Sequence, residues 1–134
     1  MYIETTEKLL DFIEKSPTAF QAVDEMQKRL TENGFEVLSE KEYWKLVPGG
    51  KYLVTRNNSA LIAFCIPEKE SRVFHIMASH SDSPSFKIKE NPEMEAAHCI
   101  KLNVEKYGGM ICAPWFDRPL SIAGRLVVSE GSRL

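Results

Sequence analysis

Three features of the 134-residue sequence predict an α/β fold. Two stretches of helical periodicity open the chain. Two apolar, β-rich runs at residues 60–66 and 72–78 follow without helical spacing, and from Ser85 onward come short β-like pieces divided by turns holding glycine and proline. Helices followed by apolar strands call for layers, because each element must bury its apolar face against another.

The opening helix is predicted over residues 6–15, where Leu9, Phe12 and Ile13 share a face. Pro17 prevents its smooth continuation, since proline lacks an N–H and its ring clashes with the preceding turn. A second helix then begins with Ser16 or Thr18 as its cap, an apolar stripe of Ala19, Ala22, Val23, Met26 and Leu30, and a stop at Asn33–Gly34 after the basic pair Lys28–Arg29. The two helices are expected to pack together on one side of a sheet. Ser39 and Glu42 have the spacing of a capping box, which predicts a short helical turn carrying Tyr43 and Trp44 and ended by Pro48, Gly49 and Gly50.

A hairpin is predicted next, with strands at residues 51–56 and 59–66 around Asn57–Asn58, a dipeptide that tolerates positive φ. Residues 60–66 lack polar alternation and read as a strand covered on both faces. Residues 72–78 read as a further buried strand. The pieces at 86–89, 99–104 and 125–128 suggest a small β subdomain.

Composition narrows the function. The 17 basic and 19 acidic residues leave a formal net charge of -2 with no basic block, so neither nucleic acid nor an anionic membrane is favoured as a partner. Cys65, Cys99 and Cys112 are odd in number and lack Cys-x-x-Cys spacing, which reads as reduced residues of a cytosolic protein. The first residues show no basic region leading into an apolar stretch, and no segment has the apolar length of a bilayer span, so a soluble cytoplasmic protein is expected. There is no phosphate-binding glycine loop; Gly108–Gly109 is a turn outside any strand-to-helix context.

The most informative stretch is residues 74–84, in which an apolar strand runs into His80, Asp82 two residues on, and Pro84. Ligands of open α/β sheets sit beyond the carboxyl ends of strands, and a metal-ligating histidine hands its other ring nitrogen to a carboxylate or carbonyl. His80 and Asp82 fit such a pair. His75, in the middle of the predicted strand, reads as a structural histidine, and His98 follows Asn91–Pro92 in a polar stretch.

Around that motif, residues 78–89 (Ala-Ser-His-Ser-Asp-Ser-Pro-Ser-Phe-Lys-Ile-Lys) and then residues 103–125, with Gly108, Gly109, Trp115, Phe116, Asp117 and Arg118, resemble the aspartyl aminopeptidase family of two-metal zinc exopeptidases. The segments from Ser16 to Phe20 and from Leu46 to Tyr52 also look like that family's amino-terminal region. The resemblance implies the first third or so of such an enzyme. Residues 1–84 would then be the amino-terminal part of a three-layer catalytic α/β domain with a mixed sheet, and residues 85–134 the start of an inserted β-barrel-like domain. His80 takes the role of a zinc ligand and Asp82 that of its support, while the remaining ligands and the catalytic glutamate of the family fall beyond Leu134. The activity implied is removal of amino-terminal, preferably acidic, residues from peptides with two zinc ions, in a large closed homo-oligomer. Sites of histidine and carboxylate also accept cobalt or manganese. Pro119 departs from the pattern, since the family commonly has an acidic residue there; the role of that loop stays open.

Other chemistry is less well supplied. Glu90, Glu93, Glu95 and Glu105 read as solvated surface. Ser79, Ser81, Ser83 and Ser85 surround His80, but neighbours on an extended chain point to alternating faces, and no Gly-x-Ser-x-Gly elbow is present. Trp115, Phe116, Asp117 and Arg118 read as a packed aromatic corner with a local salt bridge, and the resemblance implies that Asp117 and Arg118 brace a domain junction. Two alternatives to the peptidase portion remain: a naturally short, non-catalytic α/β binding or interaction module of the same fold, and an unrelated α/β binding domain.

Overall fold

A computed structural model describes residues 2–128. Pro17 separates two helices, α1 (Tyr2–Glu14) and α2 (Ala19–Glu32), as expected. Thr18 is the cap of α2, its hydroxyl accepting from the Phe20 N–H at 3.3 Å, and Asn33 followed by Gly34 at φ +83 ends the helix. The helices meet through Arg29, which pairs with Asp11 at 2.8 Å and lies 5.2 Å over the Phe12 ring. Lys15, just past the end of α1 and bonded to Asp11, holds that carboxyl below its ordinary range.

Three strands follow: β1 (Glu36–Leu38), β2 (Lys51–Arg56) and β3 (Ala60–Cys65). Their order is β1-β2-β3, with β1 parallel and β3 antiparallel to β2, which makes a mixed sheet. The hairpin turns where the sequence places it, with Asn57 and Asn58 both at φ 52. Strand β1 carries no signal in the sequence, because three residues are too few to show a period.

The core lies where α2 packs on β2 and β3. Ala22 and Val23 of the helix and the consecutive Tyr52, Leu53 and Val54 of the central strand are buried, with Leu53 fully so. Full burial of a side chain of that kind contributes about 1.5–3 kcal/mol. Three consecutive buried positions mean a strand covered on both faces, and this strand is β2. The expectation of double coverage for residues 60–66 does not hold: β3 pairs with β2 alone among the described residues, and Ile62 is 66% exposed.

Residues 72–78 form no strand either. Phe74, Ile76 and Met77 are exposed, and His75 with them, because a strand exists only through a neighbour's ladder and no described segment pairs here. The predicted helical turn at residues 39–42 is a plain turn, in which the Ser39 carbonyl accepts from the Glu42 N–H at 3.2 Å and from the Trp44 indole at 2.8 Å. Trp44 and Tyr52 both pack against Phe64, at 6.1 and 5.7 Å between ring centres.

The described residues divide into two units: 2–82 together with 123–128, and Ser83–Ile122. The second is built on an antiparallel ribbon of β4 (Ser85–Ala96) and β5 (Cys99–Tyr107). These strands are longer than the predicted pieces at 86–89 and 99–104. Their register breaks between Ile88 and Glu93, so that residues 89–92 face only Asn103, whose side-chain amide donates to the Asn91 carbonyl at 3.2 Å. Pro92 lacks the N–H a regular ladder would need. Ala97 and His98, both at positive φ, make the turn, so His98 sits at a hairpin tip. Phe86 packs edge-on to Trp115 at 5.6 Å, and Arg118 bonds Asp117 at 3.0 Å, which is the aromatic corner and local salt bridge expected. Residues 125–128, predicted as a strand, have no regular structure.

The β3 edge left open among the described residues and the exposed Phe74, Ile76 and Met77 invite pairing with other chains. The isolated 134-residue chain is therefore expected to self-associate as concentration rises. Light scattering over a dilution series checks this, and a cooperative monomer throughout would show a surface that closes on itself.

Candidate metal centre

His80 and Asp82 lie in an irregular loop of the first unit. The His80 Nδ1 is 2.7 Å from the Asp82 backbone carbonyl and 3.2 Å from its carboxylate Oδ1. A carbonyl oxygen only accepts, so the contact is a hydrogen bond when Nδ1 carries the proton; in the neutral ring that leaves the Nε2 lone pair free, on a side chain that is 78% exposed. This is the tautomer a metal-ligating histidine needs, with the second nitrogen oriented by its hydrogen bond. The pair predicted from spacing is thus brought together, and it fits zinc as one imidazole donor with its supporting acceptor.

Between the two, Ser81 turns the other way. Its hydroxyl donates to the Ser59 carbonyl at 2.8 Å, in the turn of the β2–β3 hairpin. No signal in the sequence could have found that contact, since a serine hydroxyl pairs with almost any carbonyl.

The other candidates lie elsewhere in the chain: His75 is exposed five residues before His80 on the same irregular segment, His98 is at the β4–β5 turn, and Glu90, Glu93, Glu95 and Glu105 are exposed on the ribbon. Among the described residues no three of His, Cys, Asp and Glu cluster to hold a metal ion. No described helix is long and apolar enough to cross a membrane.

Comparison with known proteins gives these features a context. A probable M18 family aminopeptidase 2 of Clostridium acetobutylicum is 50% identical over 135 positions, covering 98% of this chain and 31% of that protein. Among solved structures, the cryo-EM structure of the Ape4 and Nbr1 complex matches with a TM-score of 0.80 at 43% identity, over 83% of this chain and 22% of that one. The S. cerevisiae mApe1 dodecamer matches with a TM-score of 0.74 at 28% identity, over 87% of this chain and 28% of that one. The chain spans about a third of the length of the curated relatives it matches. The model of one family, described as aminopeptidase I zinc metalloprotease (M18), matches residues 12–134, and the chain belongs to that family.

Proposed function

We propose that this chain is the amino-terminal portion of a metal-dependent aminopeptidase that removes amino-terminal residues, acidic ones by preference, from peptides. The observation that carries the reading is the His80–Asp82 contact, which holds the imidazole with Nε2 presented as a donor. His80 is the metal ligand and Asp82 the group that orients it. Zinc, the metal in the family's description, is the proposed ion, two per site in the complete enzyme, with cobalt or manganese as substitutes. When bound, the metal supplies Lewis acidity toward the peptide carbonyl. This chain's own contribution is to hold one ligand in the required tautomer.

The proposed division is a catalytic α/β part at residues 1–84 and the start of an inserted β domain at 85–134. The boundary between the two units at Asp82 and Ser83 supports a crossover near Pro84. Arg125, by contrast, touches Phe20 and Asn57 of the first unit, so the proposed insertion does not describe residues 123–128. The complete form is proposed to be a homo-oligomer, as mApe1 is a dodecamer. A cytoplasmic location rests on the odd cysteine count and spacing.

The test uses a protein of the relatives' full length that contains this segment. Aminoacyl and peptide substrates with acidic or neutral first residues are compared with zinc, cobalt, manganese or a chelator present. Metal-dependent release, faster for acidic residues, is expected. Faster release of neutral residues removes the acidic preference, and no release from any substrate removes the peptidase reading.

A further inference from the structure

We infer that Ser81 is a positioning residue for His80, acting by docking the ligand loop onto the β2–β3 turn; the inference rests on the reading of His80 as a metal ligand. His80 and Asp82 sit in a loop without regular structure, and a loop of that kind sets an imidazole's direction only as well as it is itself held. Ser81 is the residue between them. Its hydroxyl donates to the Ser59 carbonyl across 22 residues of sequence, and it is partly buried while His80 is exposed.

The acceptor is on a firm platform. The turn of Asn57, Asn58 and Ser59 is closed by the Arg56–Ala60 pair of the ladder and by the Ser59 N–H, which donates to the Arg56 carbonyl at 3.1 Å. Asparagine accepts the positive φ of 52 that Asn57 and Asn58 adopt with little strain. From the other side Arg125 donates to the Asn57 carbonyl at 3.2 Å, with its guanidinium 4.0 Å over the Phe20 ring of α2. The turn thus links the sheet, the helix and the ligand loop.

The consequence falls on the tautomer. Fixing Ser81 fixes the backbone on both sides of it, and so the distance from the Asp82 carbonyl to the His80 Nδ1, which is 2.7 Å. Without that anchor the loop is free to swing, and the proton is no longer confined to Nδ1. Sequence reading leaves Ser81 as one serine among four around the histidine; the docking gives it a role distinct from nucleophilic catalysis.

Histidine-selective nitrogen NMR of the 134-residue chain, at a pH where the rings are neutral and a concentration below that at which light scattering detects association, reads the tautomer directly and needs no metal. The chain has three histidines, and the exposed His75 and His98 serve as internal references. Wild type should show His80 as the Nδ1–H form, Ser81→Ala should lose that single form for the mixture seen at the references, and Ser81→Thr should restore it. Ser81→Cys keeps the volume but is a weak donor, so it should follow the alanine variant even where alanine disturbs the fold. A His80 that stays in the Nδ1–H form in both Ser81→Ala and Ser81→Cys, or that Ser81→Thr fails to restore, overturns the inference. Metal content of a His80→Ala variant of the full-length protein tests the ligand role separately, so the two ideas can fail independently.

Discussion

Replacing His80 with alanine in a protein of the relatives' full length is expected to abolish most peptidase activity and lower the metal content, because it deletes an imidazole donor that no neighbour replaces. Among the described residues no third His, Cys, Asp or Glu joins His80 and Asp82 in a group that could hold a metal ion. Asp82→Asn should act more mildly. The closer of its two contacts to Nδ1, at 2.7 Å, comes from the backbone carbonyl, which the substitution leaves in place, whereas the carboxylate oxygen is at 3.2 Å. The fold should survive, and metal affinity should fall on the order of 10–100-fold, as for other partners of ligating histidines. His75→Gln is the control. His75 is exposed five residues before His80 on the same irregular segment and takes no part in the His80–Asp82 contact, so metal content should not change. Were His75→Gln to lower metal content as much as His80→Ala in a folded protein, the ligand would have been misassigned.

The elements legible in the sequence are those made by local chemistry. A cap at Ser16 or Thr18, a stop at Asn33–Gly34 and a turn at Asn57–Asn58 each depend on a few adjacent residues; the stop and the turn occur as read, and of the two cap candidates Thr18 takes the place. Strand β1 depends on β2, which starts at Lys51, thirteen residues after Leu38 ends β1, and nothing within Glu36–Leu38 announces that partner. The apolar run at 72–78 fails for the complementary reason: its composition suits a strand, but composition supplies no neighbour. The site divides in the same way. His-x-Asp spacing brings two side chains within reach, and the pair was legible. That a backbone carbonyl makes the shortest contact, and that Ser81 reaches back to Ser59, are long-range or main-chain matters that spacing does not encode.

The purified 134-residue chain is expected to hydrolyse neither acidic nor neutral aminoacyl substrates, with zinc, cobalt or manganese added. A hydrolytic zinc site needs about three protein ligands and an open position for water, and a two-metal site needs a bridging carboxylate besides. The described residues bring together one imidazole and one supporting Asp, whose carboxylate is 3.2 Å from the ring nitrogen and so already engaged in orienting it. The glutamates considered as a general base, Glu90, Glu93, Glu95 and Glu105, are exposed on the β4–β5 ribbon, which belongs to the other unit. Self-association does not change this expectation, since copies of the chain add further His80–Asp82 pairs without adding a different ligand set. The assay is sensitive to the opposite result. Metal-dependent turnover by the purified chain that His80→Ala eliminates would mean that residues within these 134 assemble a working centre, through a second copy or a rearranged loop, and the reading of this segment as an inactive portion would fall.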